Sequence, residues 1–307
     1  MTNFKKQYEE VKDSLDWGFY SLSYIQRTCQ NWSVFLTSFP DHKHLLMPFS
    51  LDSISRILRC YSYIFHWRDT TYKLFTPMGG AIKNAELCGN QKALQTKFWS
   101  DTVIQVNPFV LCLAMVKGTP VPESRMEQAE QFMAAKLEEA LNHEWQQAHM
   151  TYNLMKLQKL GQQGLDLRLI EVCHNLLRHL KLPVTSAHGD LHIENMILID
   201  EEIRIIDWCM YNRSGSFITD YIHFYNFAEA VKHNESWTVA IQKDSDYLRR
   251  LASHMSTEPG LLSIVYTLNR IAGEASQFPR TDLVPASQID KYNAVLTHLT
   301  TSIKQNV

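Results

Sequence analysis

The sequence predicts an α+β chain in two lobes, a small antiparallel-sheet lobe followed by a larger, mainly helical one. Three observations carry this. Between Ser53 and Val116, β-branched and aromatic runs are interrupted by one helical stretch. Residues 117–123 then hold Gly118, Pro120 and Pro122, the densest group of chain breakers. Beyond them, apolar positions recur at spacings of three and four almost to the C-terminus. The chain has 307 residues, 45% hydrophobic and 20% charged, with 11 Gly and 10 Pro, which excludes collagen-like, low-complexity and disordered classes. Thirty basic against 32 acidic side chains leave a formal charge of −2, so no global field draws nucleic acid or an anionic membrane.

In chain order, residues 1–47 read as a helical extension, with Phe4, Tyr8, Val11, Leu15, Phe19, Leu22 and Ile25 on one periodic face. Residues 48–118 form the sheet lobe. Three short strands are expected around Ile54 and Ile57, around Tyr61 to Trp67, and around Tyr72 and Leu74. A helix is expected over Ile82–Leu94, then two strands over Val103–Val106 and Phe109–Val116. Residues 119–307 are the helical lobe, with one periodic helix over Met126–Met150 and another over Leu165–Leu180, stopped by Pro183. Helices resume from Phe217, with Pro259 and Pro279 as breaks. Six cysteines are scattered with no C-x-x-C pair, the N-terminus lacks the apolar run of a signal peptide, and no 18-residue apolar stretch occurs. The expectation is a cytoplasmic protein with buried thiols and no membrane span.

The segment from His188 to Asp220 carries the chemistry. Within it, Met196–Ile199 and Ile203–Ile206 are apolar runs flanking Asp200, Glu201 and Glu202, a hairpin pattern. A turn centred on Glu201 would pair Asn195 with Asp207. An amide oxygen and a carboxylate meeting at a strand mouth suit Mg²⁺, a hard cation that takes few protein ligands and leaves the rest to phosphates and water. Asp190, five residues before Asn195, stands where a proton acceptor would work beside that metal.

His188-Gly189-Asp190-Leu191-His192-x-x-Asn195, followed by Ile206-Asp207-Trp208, resembles the signature of the aminoglycoside phosphotransferase and choline kinase family, small-molecule kinases with a two-lobed protein-kinase-like fold. Its five fixed positions should arise by chance in a chain of this length with a probability on the order of 10⁻⁵. The resemblance implies Asp190 as catalytic base, Asn195 and Asp207 as Mg²⁺ ligands, His188 and His192 as braces of the loop, and Asp220 as the acid that steadies the loop from a helix start. It further implies ATP, a Lys on the third strand and a Glu on the following helix to orient that Lys. Lys73 and Glu86 fit, with Lys83 as the alternative cation, and the stretch containing Leu113 and Met115 would pair its backbone with adenine.

One feature departs from the pattern. The phosphate-covering turn at Arg59–Ser62 has no glycine, so its backbone cannot approach phosphates in the usual way, and Ser62 is the candidate phosphate contact there. Trp208 in place of an aromatic-Gly pair, and the absence of an A-P-E segment, favour a small-molecule acceptor over a protein. The expected reaction is transfer of the γ-phosphoryl group of ATP to a hydroxyl of a sugar, nucleoside or amino alcohol. The alternatives are a catalytically weak nucleotide-binding module and a nucleotidyl transferase. After Asp220 the acids and bases balance, which disfavours a polycationic acceptor, while Tyr221, Phe224, Tyr225, Phe227 and Trp237 supply aromatic faces. Trp208, Tyr221 and Tyr225 are the candidate substrate contacts, with a sugar slightly preferred.

Overall fold

A computed structural model of the chain describes residues 62–75, 79–109, 112–277 and 284–305. The expected extension over 1–47, the first expected strand, the turn residues Arg59–Tyr61 and Pro279 fall outside the described residues. The rest divides into two units. One takes in Ser62–Leu87 with Gln105–Lys117, the other Cys88–Ile104 with the chain from Gly118 onward.

In the first unit, β1 (Ser62–Trp67) and β2 (Thr70–Phe75) form a hairpin whose Arg68–Asp69 turn places Arg68 at φ 51°. Next come helix α1 (Gly80–Leu94), whose residues from Cys88 on belong to the second unit, and β3 (Asn107–Pro108) and β4 (Cys112–Val116). The antiparallel sheet has the order β1-β2-β4-β3. Leu74, Phe75, Cys112 and Leu113 have no exposed surface and form its core. Ser62 opens β1, opposite Phe75, and so lies within a strand rather than in a turn.

One strand expectation fails for an identifiable reason. Val103–Val106 is not a strand: only Val103 bridges, to Ile205, and the Ile104 carbonyl accepts the Asn90 side-chain amide at 2.7 Å. The strand expected over Phe109–Val116 is present as Cys112–Val116, with Phe109 outside it.

The second unit contains β5 (Thr119–Pro120), α2 (Met126–Leu141), β6 (Trp145–Gln147), α3 (Leu154–Gly161), α4 (Leu167–Leu176) and β7 (Lys181–Pro183). Then follow β8 (Met196–Ile199), β9 (Glu202–Ile205), α5 (Phe217–His233), α6 (Trp237–Ala240), α7 (Asp246–His254), α8 (Pro259–Gln277) and α9 (Ala286–Gln305). Side-chain oxygens of Asn153, Asp166 and Ser216 cap α3, α4 and α5, satisfying amide groups that the first helical turn leaves without partners. Asn234, at φ 52°, ends α5 in the left-handed conformation that asparagine tolerates.

The expected helix over Met126–Met150 stops at Leu141, because Trp145–Gln147 pairs with Lys181–Pro183. That pairing is non-local, and local periodicity does not reveal it. The expected break at Pro259 falls between α7 and α8, and Pro259 opens α8, since its missing N–H is not needed in a first turn.

Aromatic packing in the core of this unit fixes the segments that carry the motif. Trp99 packs edge-on against Trp208 with ring centres 5.3 Å apart, and Phe98 and Phe217 lie 4.8 and 5.6 Å from Trp99. Trp208 follows Asp207 and Phe217 opens α5, so one aromatic cluster anchors two segments of the motif.

The β8–β9 hairpin differs from expectation by one residue. Its turn is Asp200–Glu201 alone, with φ of 51° and 67°, the two-residue form whose twist matches that of the strands. Glu202 therefore belongs to β9, and Met196 pairs with Ile205. The register sets Asn195 against Ile206, whose N–H donates to the Asn195 carbonyl at 3.0 Å, rather than against Asp207.

Candidate active site

The loop from His188 to Asn195 is held from three directions. From α5, Asp220 in the first turn accepts the N–H groups of His188 and Gly189, both at 2.7 Å. Burial pushes the Asp220 carboxyl up to about 7, while these two amide donors pull it down. Gly189 has φ 87°, and a Cβ there would stand 2.5 Å from the Met210 carbonyl oxygen, so only glycine fits.

From the hairpin, the buried His188 ring closes a second tie. Its Nδ1 accepts the Asp190 N–H at 3.2 Å, which leaves Nε2–H to donate to the Ile206 carbonyl at 2.9 Å. Burial lowers the pKa of His188, consistent with this neutral tautomer. The third tie is Asn195, whose Nδ2 donates to the Asp190 carbonyl at 2.8 Å and also meets His192 Nε2 at 3.2 Å. Both contacts use the amide nitrogen of Asn195. His192 stacks on Phe227 at 4.1 Å. Asp207 sits at φ 64°, ψ 60°, a backbone state sparsely populated by residues other than glycine, as is common at functional sites.

Asp190 itself has partners that the sequence did not reveal. Its Oδ1 takes a hydrogen bond from Arg270 Nη1 and lies 3.2 Å from His223 Nε2. The same Nη1 reaches the Gly189 carbonyl at 3.1 Å, and Arg270 Nε donates to Glu274 at 2.9 Å. Glu274 in turn accepts from the Tyr292 hydroxyl at 2.5 Å. Burial raises the Asp190 pKa, but Arg270 and the His223 N–H outweigh it and hold the carboxyl well below the usual carboxylate range. Burial and Arg270 together lower His223 to about 3. His223 is thus neutral, with Nδ1 accepting from the Tyr266 hydroxyl at 2.9 Å.

Asp190 Oδ2 has a different surrounding. It lies 3.8 Å from His192 Nε2. One carboxylate oxygen is therefore anchored by Arg270 and His223, and the other is not.

This arrangement sets the pH dependence of stability. An unfolded chain protonates His223 near 6.5, whereas the folded one resists until about 3. Within that window the unfolded state binds more protons, so stability rises with pH. Asp220 acts in the opposite sense: it holds a proton in the folded state up to about 7, so its contribution falls as pH rises from about 4. Urea unfolding between pH 4 and 6.5 should give a steeper gain with pH in the wild type than in His223→Gln. Parallel curves would show that His223 does not contribute.

In the first unit, Lys73 Nζ lies 2.7 Å from Glu86 Oε2 and both side chains are buried. Lys83 lies on α1, one turn before Glu86. Leu113 is flanked by Lys73 on one side and Pro108 on the other, so its backbone sits inside the sheet rather than at an adenine-pairing edge. Met115 is buried opposite Thr71.

Of the expected aromatics, Phe227 stacks on His192 beside Asp190, but the candidate substrate contacts Trp208, Tyr221 and Tyr225 do not converge there. Trp208 is a core residue, 1% exposed, with its indole N–H on the Ile205 carbonyl. Tyr221 and Tyr225 line a groove with Glu127, Glu130 and Arg250, on another face of α5 from Asp220 and His223, and Tyr225 stacks on Tyr247. Phe224 is buried in the core, and Trp237 packs edge-on against Tyr266. Of the missed residues, His223 follows Asp220 by three positions and so shares its helix face, a signal the sequence did contain. Arg270 and Glu274 form an i,i+4 pair, but their link to Asp190 spans the unit.

No protein-family model matches the chain, and comparison with curated proteins finds no match. Solved structures do resemble it. A candidate fructosamine-3-kinase from Thermobifida fusca YX-ER1 is 16% identical, with 77% of this chain and 89% of that one covered and a TM-score of 0.45. A thermostable mutant of an aminoglycoside phosphotransferase is 10% identical over 80% and 94%, with a TM-score of 0.47. A choline/ethanolamine kinase family protein from Mesorhizobium loti is 14% identical over 89% and 94%, with a TM-score of 0.42.

Proposed function

We propose that this chain is a phosphotransferase that moves the γ-phosphoryl group of ATP to a hydroxyl of a small molecule. The observation that carries the reading is the tied loop itself. The Asn195 amide bonds the Asp190 carbonyl, and the His188 ring joins the Asp190 N–H to the carbonyl of Ile206, the residue before Asp207. Asp190 Oδ2 receives the acceptor hydroxyl and orients its oxygen toward phosphorus. Because the phosphoryl-transfer transition state is loose, orientation matters more than base strength, and a carboxylate held well below its usual pKa serves this role.

No group of three or more His, Cys, Asp or Glu side chains among the described residues could hold a metal. An amide oxygen from Asn195 with the Asp207 carboxylate is nonetheless an all-oxygen donor pair, and this fits Mg²⁺ bound jointly with phosphates. Bound there, Mg²⁺ would neutralise charge on the bridging phosphate oxygens. The buried Lys73–Glu86 pair of the first unit is the cation expected to orient nucleotide phosphates. No helix among the described residues is long and apolar enough to cross a membrane.

ATP with Mg²⁺ should raise the melting temperature, because a ligand at about 100 times its Kd adds about 2.7 kcal/mol to the folded state. Asp207→Ala should abolish the metal-dependent part. An identical shift in EDTA would remove Asn195 and Asp207 as ligands. Mass spectrometry of the product distinguishes transfer of a phosphoryl group from transfer of a nucleotidyl group.

A further inference from the structure

The second unit contains a cavity of about 220 Å³ against the turn that carries Asp190, with Gly189 and Arg270 in its wall and α3 and α8 along its sides. Its lining holds three cationic side chains, Lys156, Arg213 and Arg270, and one carboxylate, Asp220. That carboxylate is already committed to two backbone N–H groups. The remaining polar lining is amide, hydroxyl and phenol.

Arg270 is balanced by Asp190 and Glu274, whereas Lys156 and Arg213 have no carboxylate partner among the described residues. Arg270 spends Nη1 on Asp190 and Nε on Glu274, and its Nη2 makes no hydrogen bond to the described residues. Lys156 Nζ meets the Ser276 hydroxyl, a neutral partner. Burial and neighbouring Lys159 lower the pKa of Lys156, which marks an ammonium partly withdrawn from water without compensation. Such a group costs free energy unless an anion joins it. A choline-like or aminoglycoside cation would instead meet like charge.

Resting on the phosphotransferase reading, we propose that the acceptor is a compact anionic hydroxyl compound, a hydroxy acid or a sugar phosphate. Its carboxylate or phosphate sits on Lys156 and Arg213, with Arg270 Nη2 beside them, and its hydroxyl is directed to the turn at Gly189 that carries Asp190. The cavity is smaller than the roughly 300 Å³ at which pockets for drug-sized ligands begin, which sets the compactness. This replaces the neutral acceptor expected from the aromatic residues, since none of Trp208, Tyr221, Phe224, Tyr225, Phe227 and Trp237 lines the cavity.

The test is titration calorimetry on the full chain with matched probes: glycerol 3-phosphate against glycerol, glucose 6-phosphate and gluconate each against glucose, and choline as the cation. The anionic member of at least one pair should bind about 10-fold tighter or more, and the two glucose-based anions separate phosphate from carboxylate recognition. Lys156→Gln and Arg213→Gln should each weaken that binding by about 10-fold, the loss of one charge-assisted hydrogen bond, and leave the affinity for ATP unchanged. Arg213 is exposed, so its variant tests the site even if Lys156→Gln destabilises the fold. Neutral probes or choline binding as tightly as the anions, no binding by any anion, or variants indifferent to the anion would each overturn the proposal. Turnover is scored separately. Anion binding without phosphoryl transfer to any probe would keep this site and remove the kinase reading, whereas transfer to neutral acceptors without anion preference would do the reverse.

Discussion

Asp190→Asn is expected to lower kcat by about 10² to 10⁴, the range for loss of a positioned proton acceptor, with the affinity for Mg²⁺-ATP little changed. The substitution keeps the side-chain volume but removes the charge opposite Arg270, so a fall in melting temperature should accompany the kinetic loss. The two effects are separable. Melting without ligand reports the broken ion pair, and the additional shift produced by Mg²⁺-ATP reports the nucleotide site. A variant with wild-type turnover would show that the loop at 188–195 does not do the chemistry.

Arg270→Met should destabilise the fold by about 3–5 kcal/mol, because two buried carboxylates, Asp190 and Glu274, lose the cation between them. At this chain size that corresponds to a melting-temperature drop of about 6–20 °C. Without the guanidinium, the Asp190 pKa must rise, since the strongest opposing charge is gone and burial acts alone with His223. The acid limb of the kcat profile should move to higher pH. Arg270→Lys keeps the charge but not the fork that bonds Asp190 and Glu274 together, so it should recover part of the stability. An Arg270→Met protein with unchanged melting and an unchanged pH profile would mean that the pair seen at Asp190 does not persist in solution.

The range of each interaction decided whether the sequence revealed it. The motif from His188 to Asn195 was legible because its chemistry is compressed into eight positions, and the Lys73–Glu86 pair because strand-to-helix order places them together. The hairpin was legible as a hairpin but not to the residue. Whether its turn has two or three members depends on Asp200 and Glu201 both adopting positive φ, which neither residue type announces. The end of α2 and the role of Trp208 were illegible for another reason. Both are decided by partners far away in the chain: β7 in the first case and Trp99 in the second. Arg270 shows this most plainly. In sequence it was one base among a balanced set, and only folding gives it Asp190.

The link from Asp190 through Arg270 and Glu274 to Tyr292 makes the last helix a remote support for the loop. Three contacts connect them. Tyr292 sits one-third of the way along α9, so shortening the protein from its C-terminal end would act as a graded probe. Trimming that spares Tyr292 would leave the electrostatics of Asp190 intact, whereas loss of all of α9 would free Glu274 from Tyr292 and Gln288 and loosen its hold on Arg270. The C-terminal helix is in this sense a tension member: what is removed there is felt at the carboxylate, with no residue of the loop itself altered.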